Sequence, residues 1–234
     1  MTNIADNVKR VRDIIAEAAN KSGRTPEDIR LVAAAKTKPA DLIRQAIAAG
    51  VDAVGENRAQ EILEKHPKGA YSGAPLHFIG HLQSNKVRQI VGVCDLIESV
   101  SSPALIDLIG KKAVSLGIVQ KILIEVNIGG EPQKSGIFPE NTAEILEIAS
   151  QTEGIRVLGL MAVPPIFETN ERNCYYFDAI FNLFVDMRRN KYDNVSMEFL
   201  SMGMSDSYVE AILAGSNMVR IGTAIFGERS KGET

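Results

Sequence analysis

From Leu31 onward the chain repeats one two-part phrase: a short apolar run, then a longer segment whose apolar residues recur at helical spacing. The runs are LVAAA (31–35), AVG (53–55), LHFIG (76–80), DLIESV (95–100), VQKILIEVN (119–127), RVLGLMAV (156–163), SMEFLSM (196–202) and MVRIG (218–222). Each is too short and too apolar to keep a solvent-facing side, which marks strands buried on both faces of a parallel sheet. Eight of them, with helices between, predict an α/β fold of one kind, a closed (β/α)8 TIM barrel. An open doubly wound sheet competes, but it usually carries a glycine-rich turn after its first strand. Here that turn reads KTKPAD, with no GxGxxG near it. No Pro/Ser-rich linker or shift of composition divides the chain, so residues 1–234 read as a single barrel domain. Ahead of it, residues 3–21 form an extra helix with Ile4, Val8, Val11, Ile15 and Ala18 on one stripe. SGRTPED then breaks the helix, with Thr25 as an N-cap and Pro26 at a first helical position.

Composition removes several function classes. The formal net charge of -3 offers no basic field for nucleic acid, and the short clusters KRVR (9–12) and RRNK (188–191) sit among acids as solvated helix faces. Cys94 and Cys174 are the only cysteines and form no CxxC pair, so neither a disulfide framework nor a zinc site is expected. His66, His77 and His81 include no HxH or HExxH pair, and no metal is expected. The N-terminus lacks an apolar signal region, and no run approaches the roughly 18 apolar residues of a membrane span. The expectation is a soluble, cytoplasmic protein.

In a (β/α)8 barrel the chemistry lies where the strands end. The residues there are Lys36 after strand one, Glu56 and Asn57 after two, His81 after three, Ser99 and Ser101 at four, and Asn127 after five. Lys36 has two readings: an ordinary lysine reaching solvent from a strand end, or an amine held where it can form a Schiff base. SMGMSDS (201–207) brings Ser201, Gly203, Ser205 and Ser207 to the turn after strand seven, and RIGTAIFGER (220–229) brings Arg220, Gly222 and Thr223 to the next. Either turn alone reads as capping serines and flexible glycines. Both in succession, at the habitual phosphate cradle of this fold, read as an anion site. Lysine, cradle and Arg220 at one rim suit a phosphorylated aldehyde, and pyridoxal 5′-phosphate is the obvious candidate.

The stretches LVAAAKTKP, GENRAQE, HFIGHLQSNK, ILIEVNIGGEPQKSG, GLMAV and LSMGMSDSYVEAILAGSNMVRIGTAIFGER resemble the pyridoxal phosphate homeostasis proteins, relatives of the barrel half of bacterial alanine racemase. The resemblance covers residues 5 to 229. It implies a fold-type III barrel with pyridoxal phosphate bound covalently to Lys36. It also implies Arg220 facing the pyridine nitrogen, Ser201, Gly222 and Thr223 holding the phosphate, and Asn57 and His81 near the cofactor.

The function expected is a cofactor carrier: a protein that holds pyridoxal phosphate as a Schiff base, takes part in its homeostasis and passes it to apo-enzymes, with no robust catalysis and no catalytic residue assigned. Arginine at the ring nitrogen leaves a weak electron sink, and racemisation needs a base on each face of the substrate carbon. In the racemases the second base is a tyrosine from a β-rich domain, for which nothing follows the barrel here. A monomer is therefore expected. Tyr208 lies near the strand-seven turn, but its neighbours favour packing. Two alternatives stand: a pyridoxal-phosphate racemase or lyase with another base, and a cofactor-free Schiff-base aldolase. Lys134, in EPQKSG, is either a transient acceptor of the aldehyde or a solvated loop lysine. His77 reads as a hydrogen-bonded core residue, while His81 is equally a cofactor contact or part of a helix start.

Overall fold

Each of the eight apolar runs forms a strand. β1 (Arg30–Ala34), β2 (Ala53–Glu56), β3 (Leu76–Phe78), β4 (Leu96–Val100), β5 (Gln120–Val126), β6 (Ile155–Ala162), β7 (Val195–Ser201) and β8 (Met218–Ile221) follow one another around a closed barrel. Every pairing is parallel, and β8 returns to β1 with Arg220 opposite Val32. The computed structural model describes residues 3–165 and 170–228. Closure leaves no sheet edge, so even the three residues of β3 have a neighbour on both sides.

The helices are α1 (Ile4–Lys21), α2 (Ala40–Ala48), α3 (Ala59–Lys65), α4 (Val87–Ile90), α5 (Pro103–Ser115), α6 (Thr142–Ser150), α7 (Asn170–Arg188), α8 (Tyr208–Leu213) and α9 (Thr223–Phe226). α1 begins where Asn3 caps it, its Oδ1 accepting from the Ala5 and Asp6 N–H groups at 3.1 and 3.3 Å. Its stripe of Ile4, Val8, Val11, Ile15 and Ala18 is buried against α2, α8 and α9. Asn7 Nδ2 donates to the Ile225 carbonyl at 2.8 Å, and Arg24 donates to the carbonyls of Ser216 and Ile212. After the break, Pro26–Asp28 make one tight 3-10 turn, with the Asp28 carboxylate accepting the Thr25 N–H at 2.8 Å.

Alternation along the strands gives the barrel two apolar layers. Outward residues such as Leu31, Ile97, Ile122 and Leu200 pack beneath the helices. Val32, Ala53, Leu96, Leu123, Leu158, Met161 and Met218 form a second cluster with Phe199 that fills the interior. β6 and β7 approach so closely that a Cβ on Gly159 would stand 1.9 Å from the Phe199 carbonyl oxygen, and Gly159 adopts φ +145°, so only glycine serves there.

At the N-terminal end of the barrel, polar residues just before three strands tie down their neighbours. Asp52 accepts the Leu31 N–H at 2.6 Å, Asp95 that of Leu76 at 2.7 Å, and Asn217 that of Leu200 at 2.7 Å. No described helix is long and apolar enough to cross a membrane. Among the described residues no group of metal-ligating side chains gathers, and Cys94 and Cys174 are unbridged.

Candidate functional site

The strand register explains why distant residues reach one end of the barrel. Lys36, Asn57 and His81 each follow an inward-facing residue (Val32, Ala53, His77) by four positions. Gly203 and Gly222 follow Phe199 and Met218 by the same interval, with Ser201 and Arg220 two positions along the way. An even interval keeps a side chain on the same face of a strand, which points Ser201 and Arg220 inward; the other five stand just beyond the strand ends. Thr223 falls off this count and opens α9.

Lys36 lies in a tight turn two residues beyond β1 and is exposed. Ala35 N–H still pairs with the Gly55 carbonyl at 2.8 Å, and Lys38 N–H closes the turn on the Ala35 carbonyl at 3.0 Å. The ladder ends with Ala35, so Lys36, expected at the strand's end, is carried by the turn. Asn57, half-buried after β2, has an Oδ1 that is buried without a hydrogen-bond partner. His81 is exposed, with Nδ1 2.8 Å from the Ser135 hydroxyl of the loop after β5.

Arg220 is the most constrained side chain of the group, 5 % exposed on the inward face of β8. Its guanidinium donates to the Ser201 hydroxyl and, at 3.0 Å, to the Ala162 carbonyl. Ser201 in turn donates to Glu98 Oε2 at 2.6 Å, and the other oxygen of Glu98 lies 2.7 Å from His77 Nδ1. Burial pushes the Glu98 carboxyl up, but the hydrogen bond and charge of His77, the Arg220 guanidinium and the Ser201 hydroxyl outweigh it. The net direction is down, and the carboxylate is ionised. Burial lowers the Arg220 pKa against the pull of Glu98 and Glu125, yet from so high a starting value that the side chain keeps its charge. Glu125, one strand along, is pushed up to about 7 by burial, with Arg220 opposing, and its Oε2 has no hydrogen-bond partner.

The turns after β7 and β8 are tied to each other. Arg220 N–H donates to the Gly203 carbonyl at 3.0 Å, and Ala224 N–H to the Ser205 hydroxyl at 3.3 Å. Gly203 has φ +96°, and a Cβ there would meet Ala211 Cβ at 2.6 Å. A Cβ on Gly222 would stand 3.2 Å from the Ala34 carbonyl oxygen, where β8 passes β1. α9 is a single turn, so its dipole contributes little to an anion here. What the two turns offer is backbone N–H groups and hydroxyls.

Among the remaining candidates, Tyr208 is buried beside α1, where packing was expected to place it. His77 is the hydrogen-bonded interior residue expected of it. Lys134 pairs with Glu131 at 2.5 Å in a loop gathered by Asn127, which donates to the Glu131 carbonyl at 2.8 Å. Glu98 and Glu125, which lie within LIESV and ILIEV, are site residues that the strand-end pattern does not single out. An acid two residues beyond an inward leucine, inside an otherwise apolar strand, was the available signal.

This donor set fits pyridoxal phosphate: an amine at the rim, a buried arginine that keeps its proton, an unsatisfied Asn57 carbonyl oxygen, and two joined turns. A family profile described as "Alanine racemase, N-terminal domain" matches residues 2–230. The pyridoxal phosphate homeostasis protein of Aquifex aeolicus is 40% identical over 227 residues, covering 97% of this chain and 99% of its own. The chain belongs to the pyridoxal phosphate homeostasis protein family. A solved structure, that of PipY of Synechococcus elongatus with PLP bound, matches at TM-score 0.78 and 31% identity, over 91% of this chain and all of its own. Alanine racemase of Clostridium difficile shares the fold at TM-score 0.79 and 17% identity. The match covers 97% of this chain and 60% of the racemase.

Proposed function

We propose that this protein binds pyridoxal 5′-phosphate at the barrel rim, covalently through the Lys36 amine, and serves its homeostasis as a carrier that supplies apo-enzymes. The observation that carries the reading is the braced Arg220 on β8, on the strand next to the one that delivers Lys36. The PLP-bound relative and the names of the full-length relatives support it.

When bound, the cofactor supplies an aldehyde, a phosphate and a ring nitrogen. Lys36 offers the nucleophilic amine from an exposed turn. Arg220, held on Ser201 and the Ala162 carbonyl, would meet the ring nitrogen as a donor that does not surrender its proton. Gly203, Gly222 and Thr223 would hold the phosphate with Ser201, whose hydroxyl also bonds Arg220 and Glu98, and Asn57 and His81 would lie near the cofactor. Tyr208, the tyrosine nearest the β7 turn, is packed in the core and is not assigned as a second proton carrier. We read the protein as a monomeric carrier with no robust turnover of its own.

The test is the visible spectrum of the protein with pyridoxal phosphate before and after borohydride, for wild type and Lys36→Ala. A yellow band, trapped by reduction on the peptide holding Lys36 and lost in the variant, is the expected result. An identical reducible band in both proteins would overturn the assignment.

A further inference from the structure

Thr37, immediately after the cofactor lysine, adopts φ +63°, and among the described residues it is the only non-glycine with positive φ. A β-branched residue is a poor occupant of this left-handed region, because its Cβ substituents crowd the backbone. Its hydroxyl gives no compensation, since Oγ1 is buried without a hydrogen-bond partner. On local grounds, therefore, the residue resists the conformation it holds.

What holds it lies on α3. Thr37 N–H donates to Glu61 Oε2 at 2.8 Å. The same oxygen receives Lys65 Nζ at 2.6 Å, and Lys65 also donates to Glu56 Oε1 at 2.8 Å. Tyr71 adds a hydroxyl to Glu56 Oε1 at 3.0 Å. The side chains of Glu56, Glu61 and Lys65 are 0, 14 and 13% exposed, so the ionic cluster is shielded from solvent. Glu56 ends β2, and Glu61 and Lys65 bracket α3, so the cluster fastens the turn after β1 to the next strand and its helix.

We infer that Glu61, seated by Lys65 and Glu56, is a positioning residue that clamps Thr37 in its left-handed conformation and thereby aims Lys36 at the rim. Glu61 touches neither the cofactor nor the reacting amine in this scheme; it acts through the backbone. The inference rests on Lys36 being the cofactor lysine.

The experiment follows the rate at which pyridoxal phosphate becomes borohydride-trappable on the Lys36 peptide, in the intact protein. Far-UV circular dichroism monitors folding. Glu61→Ala should slow trapping at least about tenfold, equivalent to ~1.4 kcal/mol on the barrier. Adding Thr37→Gly to that variant should restore most of the loss, because glycine holds positive φ without a clamp. Glu61→Gln keeps an acceptor for the Thr37 N–H and should stay within about threefold of wild type; it also serves should the alanine variant not fold. Wild-type trapping that is unchanged in Glu61→Ala overturns the clamp, as does a folded Glu61→Ala that glycine fails to rescue. A Glu61→Gln variant as slow as Glu61→Ala overturns it too. Absence of trapping at Lys36 in wild type would instead refute the cofactor assignment, so the two failures are separable.

Discussion

Glu98 is fully buried between three partners: His77 on one oxygen, Ser201 on the other, and Arg220 3.7 Å away. A buried charge contributes little net stability while paired, but removing one member leaves the others stranded. Glu98→Ala should therefore lose about 3–5 kcal/mol in urea unfolding, well beyond an exposed substitution. A loss below about 1 kcal/mol would show that Arg220 does not depend on it. Site residues differed in how readily they could be read for a related reason. Lys36, Asn57 and His81 follow apolar runs and stand out as interruptions of them. Glu98 lies inside a run, and its importance depends on which side of the strand it faces and on a serine and an arginine more than 100 residues away.

Strands were legible because burial on both faces writes itself as short, mainly apolar runs; all eight fell within one or two residues of their observed ends. Short helices were not. α4 has four residues behind a 3-10 turn, and α9 has four, lengths at which spacing carries no signal. α1 was legible in full, and its packing sets its worth. Ile15 is completely buried on the face against the barrel's helices. Ile15→Ala should cost about 2–4 kcal/mol and lower the urea midpoint without changing the spectrum of bound cofactor. A spectral change would mean that α1 communicates with the rim.

Net charge conceals opposed titrations in the folded protein. Glu125, pushed up to about 7, and Glu56, pushed up to about 6, both by burial, hold protons that the unfolded chain releases near its ordinary carboxylate value. The folded state is thus the better proton binder between roughly pH 4.5 and 7, and stability falls as pH rises through that window. The Glu125 contribution is about 3 kcal/mol. Glu98, held below the usual range, acts in the opposite sense, with its contribution lost on acidification below the unfolded value. Urea midpoints should accordingly be higher at pH 5.5 than at pH 8, and Glu125→Gln should flatten the difference. An equal slope in that variant would refute the assignment to Glu125.

The seam where β8 meets β1 also constrains how the chain is made. Asn7 and Ile225, joined by a hydrogen bond beside that seam, are 218 positions apart. At about 5–20 residues per second, a ribosome needs roughly ten to forty seconds to travel that distance. Throughout that interval Leu31–Ala34 lacks β8 on one flank, a bare apolar strand of the type that invites pairing with other nascent chains. The barrel is thus sealed only near the end of synthesis, and the apolar stripe of α1 waits as long for α8 and α9. The segment that delivers Lys36 is thus the strand that waits longest for its second neighbour.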